Sequence, residues 1–191
     1  MTGCARVGRE LEEHLELFRR LDALTPRIEA AARLMSEALL QGHKLLFCGN
    51  GGSAADSQHL ASEFSGRFVR DRRPLAAIAL TTDSSALTCI ANDYSFDEVF
   101  ARQLLALGNR ADCLIAISTS GNSRNVIRAV QTAHESGVRT IGMLGRDGGA
   151  LGDLVELAII VPSQSTARIQ EAHSFIGHTL CGLIEHTLGL A

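Results

Sequence analysis

Tryptophan is absent from these 191 residues, and tyrosine occurs once, at Tyr94. Proteins that stack nucleobases need aromatic platforms, and this chain has almost none. A formal net charge of -3 at pH 7 supplies no basic footprint for nucleic acid either. Long apolar runs are missing as well; the longest are of strand length, far short of a bilayer span. The chain opens on MTGCARVGRE, which runs straight into charged residues and reads as no signal peptide. No CxxC pair occurs. The five cysteines (Cys4, Cys48, Cys89, Cys113 and Cys181) are odd in number and dispersed, which argues against a disulfide framework or a thiolate zinc site. They are expected to be buried, reduced thiols filling the core of a cytoplasmic protein.

What is present is ordinary globular composition, 46% hydrophobic and 20% charged. The length suits one domain with a proper core, and no linker or low-complexity tract suggests a boundary. We read residues 1–42 as a helical lead-in and 43–191 as an α/β core. In the lead-in, Leu11, Leu15, Phe18 and Leu21 recur at helical spacing. Thr25 is expected to cap a second helix, with Pro26 at its first position, which runs to about Leu40 before Gly42 stops it. The apolar stripe of the lead-in has two destinations open to it, the core or a second subunit.

From Lys44 the pattern changes. KLLFCG, LAAIAL, DCLIAIS, RTIGML and VELAIIVP are short, nearly continuous apolar runs, as strands buried on both faces of a parallel sheet are. Helical segments separate them at Ser53 to Ser65, Ser84 to Ala91, Ser95 to Leu107 and Ser123 to Ser136; a final helix spans about Thr166 to Leu188. Ser95 and Glu98 have the spacing of a capping box, and Gly108 and Gly137 stand where helices should end. The alternation predicts an α/β fold with a layered, largely parallel sheet. Ligands of such folds bind beyond the carboxyl ends of the strands, so function should sit in GNGGS, TTDSS, STSGNS and GRDGG.

GNGGSA fits the G-x-G-x-x-A form of a dinucleotide fingerprint, but the acid that should close the second strand is missing; Asp83 comes too late. No Gly-Lys-Ser/Thr follows, so it is not a P-loop. Glycines that let a ligand approach the backbone, followed by Ser53 at a helix N-terminus, suit an anion or a hydroxyl. His59 and Glu63 stand one turn apart on that helix, a pair able to hold a metal, to act as acid and base, or simply to support the helix surface. ISTSGNS offers the hydroxyls of Ser118, Thr119, Ser120 and Ser123 around Gly121, a neutral phosphate clamp that needs no lysine. The last helix carries Gln170, Glu171, His173 and His178 on an otherwise apolar surface; by spacing, Glu171 shares a stripe with His178 better than Gln170 does.

Together, CGNGGSAADSQHLASEF, ALTTDSSALTCIANDYSFDEVF, AISTSGNSRNVI and ARIQEAHSFIGH resemble the sedoheptulose 7-phosphate isomerases (phosphoheptose isomerases) of the sugar isomerase, or SIS, domain family. The likeness runs from about Arg27 to Glu185. It implies a three-layer αβα domain with a five-stranded parallel sheet and an N-terminal helical extension, assembled as a homotetramer with active sites between subunits. It also implies conversion of sedoheptulose 7-phosphate to D-glycero-D-manno-heptose 7-phosphate, towards activated heptose for lipopolysaccharide or other surface glycans. By resemblance, Gly51, Gly52, Ser53, Asn92, Asp93 and Gln170 would contact the sugar, with Ser118, Thr119, Ser120 and Ser123 on the phosphate. Glu63 and His178 would be the acid–base pair, and His59, Glu63, Gln170 and His178 would hold one zinc ion per site. That choice of Gln170 over Glu171 comes from the resemblance, not from the helical spacing. Some SIS relatives are non-catalytic adaptors, one of which binds the replication initiator DnaA. An adaptor has no chemical need of Glu63 together with His178.

Overall fold

The computed structural model describes residues 3–190. Two helices come first, α1 (Gly3–Arg20) and α2 (Thr25–Leu40), joined by a 3-10 turn at Leu21–Leu24. The core follows as β1 (Leu45–Gly49), α3 (Gly52–Ser65), β2 (Ala77–Ala79), α4 (Ser84–Asp93), α5 (Val99–Leu107), β3 (Cys113–Ser118), α6 (Arg124–Ser136), β4 (Arg139–Gly145), α7 (Gly149–Leu154), β5 (Leu157–Val161) and α8 (Thr166–Thr187). The five strands form one parallel sheet in the order β2-β1-β3-β4-β5.

Each strand feeds both faces of the sheet, which is why the apolar runs are nearly continuous. Leu45, Phe47, Ile115, Ile117, Ile141 and Met143 pack under α2, α3 and α8, together with Met35, Phe64 and Ile176. On the other face, Leu46, Cys48, Leu114, Ala116 and Leu144 meet Phe100, Leu104 and Val126 from α5 and α6. The result is the three-layer αβα sandwich.

Several local expectations are corrected. Thr25 caps nothing: the 3-10 turn runs straight into α2, Leu24 takes the cap position with helical dihedrals, and Thr25 is itself helical. The Ser95–Glu98 capping box is not made, because the Glu98 carboxylate accepts from Arg128 Nε at 3.1 Å. That segment is a 3-10 turn over Phe96–Glu98 before α5 begins. The second strand shrinks to three residues, and α7 forms in a glycine-rich stretch without a helical pattern. All five cysteines are free, but only Cys48, Cys113 and Cys181 are buried; Cys4 and Cys89 are exposed. Gly137 ends α6 in the left-handed conformation, and Gly108 ends α5 in an extended one. The apolar stripe of the lead-in divides: Leu21 joins the core with Phe18 packed against it, while Leu11 and Leu15 are exposed.

Candidate active site

The chain leaves β1 towards one side of the sheet and β3 towards the other, so their carboxyl ends, with Gly49 beside Ile117, part to leave a cleft of about 270 Å³. Three helices point their N-terminal ends into it. Gly51, Gly52 and Ser53 come from the start of α3, Ser118 from the end of β3, Thr119 and Ser123 from the turn before α6, and Thr166 and Gln170 from the first turns of α8. Among the described residues, no lysine or arginine lines it. A helix N-terminus presents N–H groups without helical partners and a positive partial charge, so three of them make an anion site without a cation. A larger depression, about 440 Å³ between α1 and the β5–α8 loop, carries Glu13 and Glu16 beside Arg20 and Arg168 and lacks that convergence.

The cradle is shaped by its own hydrogen bonds. Ser118 Oγ accepts from the Gly121 amide at 3.1 Å and lies 3.1 Å from Ser123 Oγ. Gly121 sits at φ +66°, and a Cβ there would fall 1.9 Å from the Gly148 carbonyl oxygen, so only glycine lets the turn lie against α7. Ser120 stands apart from the cleft lining; its Oγ accepts from the Asn122 amide at 3.2 Å. Asn50, itself in the cleft lining, and Asn125 exchange amide hydrogen bonds, both 2.8 Å, tying the loop after β1 to the first turn of α6. A Cβ on Gly52 would come within 2.2 Å of Gln170 Nε2; the glycine leaves room for that amide in the cleft.

Helices α3 and α8 follow strands of the same parallel sheet on the same face, so they run side by side in the same direction, with rungs between them. Gly52 meets Gln170, Ser174 Oγ donates to Asp56 Oδ1 at 3.0 Å, and His59 Nε2 lies 2.8 Å from His178 Nε2. Glu63 Oε1 is 3.7 Å from His59 Nε2, and the donor atoms of His59, Glu63 and His178 all lie within 4.8 Å of one another. Two imidazoles and a carboxylate converging in this way form an N/O donor set that fits a divalent cation such as zinc. Phe68 stacks on the His178 ring, 5.7 Å between centroids with planes 20° apart. Asp56 Oδ2 is buried without a hydrogen-bond partner among the described residues. Burial raises the Asp56 pKa, opposed by the Ser174 hydrogen bond and by the charges of His59 and His178.

One chain does not bring every expected residue to one place. Gln170 and His178 are eight residues apart on α8, about 12 Å of helix rise. Gln170 therefore faces the cleft, while His178 faces Glu63. Asn92 and Asp93 end α4 in solvent, hydrogen-bonded to each other at 2.8 Å, and do not line the cleft. Glu171 turns towards α1, accepting from Arg168 Nη2 at 2.6 Å and lying 2.8 Å from His14 Nδ1. His173 is a core residue; its Nε2 donates to the Leu144 carbonyl at 3.0 Å, and burial pulls its pKa down to about 4.

Asn50, Asp56, Asn125 and Thr166 escaped the sequence reading. Thr166 could have been found, since it stands one turn before Gln170 on the same stripe. The Asn50–Asn125 pair spans 75 residues and has no local signal.

The sequence profile of the SIS domain family matches residues 11–145. The chain belongs to the SIS domain family. This SIS domain chain is 52% identical over 182 residues to the phosphoheptose isomerase of a Nitratiruptor species, covering 95% of this chain and 97% of that one. Its fold superposes on the phosphoheptose isomerase GmhA of Neisseria gonorrhoeae with a TM-score of 0.93 at 45% identity, over 97% of this chain and all (100%) of that one. A phosphoheptose isomerase from Francisella tularensis gives a TM-score of 0.95 at 39% identity, again over 97% and 100% of the two chains.

Proposed function

We infer that this chain is an isomerase of heptose phosphates, and we propose that it converts D-sedoheptulose 7-phosphate to D-glycero-D-manno-heptose 7-phosphate. The observation that carries the reading is the meeting of three helix N-termini and several hydroxyls at one cleft, with no lysine or arginine among its described lining residues. Ser118, Thr119 and Ser123 hold the phosphate in this reading, Ser120 joining them only by turning its hydroxyl from the Asn122 amide towards the cleft, and Gly51, Gly52, Ser53, Gln170, Asn92 and Asp93 contact the sugar in the assembled protein. The remote phosphate supplies binding energy that orients the carbons to be transformed.

Glu63 takes a proton from C1 of the ketose, leaving an enediolate with its negative charge on O2. His178 moves the hydroxyl proton from O1 to O2, and Glu63 returns its proton to C2, leaving the aldose. A zinc ion held by His59, Glu63 and His178, with Gln170 completing the set in the assembled site, would polarise the carbonyl as a Lewis acid.

Assembly as a homotetramer is supported by the apolar surface that a single chain leaves bare. Val7, Leu11 and Leu15 on α1 are 70%, 56% and 43% exposed, and Phe175 on α8 is 46% exposed. No helix among the described residues is long and apolar enough to cross a membrane. We place the reaction in the cytoplasm, with its product feeding nucleotide-activated heptose for lipopolysaccharide or surface glycans. Incubation with sedoheptulose 7-phosphate, followed by NMR for an aldose phosphate, tests the reading; a folded protein that forms none overturns it.

A further inference from the structure

The loop between α3 and β2 carries an ion pair that the chemistry above does not use. Arg72 in that loop and Glu185 on α8 are sealed from solvent, with 2% and 3% of their side-chain surfaces exposed. Burying two charges is costly, and replacing such pairs with apolar residues is often neutral or stabilising, so stability is a weak reason for this one. Its contacts are more informative. Arg72 Nε donates to Glu185 Oε1 at 2.7 Å, and Nη2 donates to the backbone carbonyl of Glu63 at 2.7 Å. Nη1 reaches the carbonyls of Phe64 at 2.8 Å and Gly66 at 3.0 Å. One planar cation thus closes the last turn of α3, where carbonyls have no helical donor, at the residue that supplies the carboxylate.

The other end of the pair reaches the histidine. Glu185 stands seven residues after His178, on the same face of α8. Its Oε1 also accepts from the Phe68 amide at 3.4 Å, and the Phe68 ring is the one stacked on His178. We propose that Arg72 and Glu185 form a positioning pair that sets the separation and mutual orientation of Glu63 and His178. The proposal rests on the acid–base reading of those two residues. The rigid guanidinium fork is essential to it, because a lysine ammonium can pair with Glu185 but cannot also span the carbonyls of Glu63, Phe64 and Gly66.

Arg72→Lys tests this. Misplacement of reacting groups by a fraction of an ångström to 1 Å lowers turnover steeply, so kcat should fall roughly 10- to 100-fold. KM should stay within about threefold, since the phosphate cradle lies at the opposite end of the helix pair. The His178 ring resonance, read in histidine-labelled protein without substrate, should move as the Phe68 ring shifts. A folded Arg72→Lys protein with wild-type kcat, or with an unmoved His178 resonance, overturns the proposal. Should that variant fail to fold, the double change Arg72→Met with Glu185→Leu removes both charges together and takes its place, with the same three readouts. If neither folds, the pair is structural only and the positioning role is overturned. Should the wild-type protein turn over no heptose phosphate, the functional reading falls, and the His178 resonance alone decides the positioning role.

Discussion

Glu63 and His173 show how environment separates residues that look equally eligible in the sequence. Glu63 lies at the rim of the His59–His178 pair, within reach of a ligand. Glu63→Gln keeps the shape and removes the proposed base, so turnover should fall roughly 10²- to 10⁴-fold while substrate still binds. A variant keeping more than about a tenth of wild-type turnover would take Glu63 out of that role. His173, on the same helix as His178, is sealed and neutral, with its pKa drawn from 6.5 to about 4 by burial. A depressed folded pKa means the stabilisation is complete above the unfolded value and is lost as the pH falls from 6.5 towards 4. The loss should be on the order of 3 kcal/mol. His173→Gln, which retains a donor for the Leu144 carbonyl, should show a smaller drop in urea-unfolding stability between about pH 7 and about pH 4.5 than the wild type does. Equal slopes would show that acid lability lies elsewhere.

At the scale of elements, the cradle depends on close approach. Gly52→Ala should leave the sheet intact, because the new Cβ meets the mobile end of Gln170 rather than backbone. The Gln170 amide would then be pushed from the cleft, raising KM for the sugar phosphate with little change in melting temperature; an unchanged KM would remove Gln170 from substrate contact. Ser123→Ala should weaken binding of the phosphorylated sugar and leave any binding of the free sugar unaffected, as isothermal titration would show. The strands and long helices behind this site were legible because apolar runs and 3.6-residue stripes record burial directly. The short α7 was not, since the contacts of Leu151 and the turn against Gly121 make it a helix, not its own composition. The two loops and α8 were legible as separate pieces, each with its hydroxyls or its histidine. Their rungs were not, because Asp56 meeting Ser174, or Asn50 meeting Asn125, depends on which helices become neighbours. The same limit left Arg72 unremarked among the basic residues of RDRR, where nothing local marks one arginine as buried.

For the whole molecule, α1 is tied to α8 by His14 on Glu171 and by Arg168 on the Glu10 carbonyl, yet it leaves one apolar stripe uncovered. Leu11→Asp with Leu15→Asp alters only exposed positions, so the chain should fold while assembly fails. Removing residues 1–24 should go further, giving smaller species by light scattering and losing turnover with them. A fully active monomer from either would sink the idea of a site shared between copies. The charge pattern has a consequence of its own. The molecule is anionic overall, and its cradle draws on peptide dipoles and hydroxyls instead of ammonium or guanidinium groups. Once the phosphate is a dianion, above its second ionisation at about pH 6, none of the described residues lining the cradle has a side chain that titrates before alkaline denaturation. KM should therefore stay level from about pH 7 to about pH 9 and respond weakly to added salt, while kcat follows its own acid and base. A grip made of peptide dipoles and hydroxyls has no proton to lose in that range.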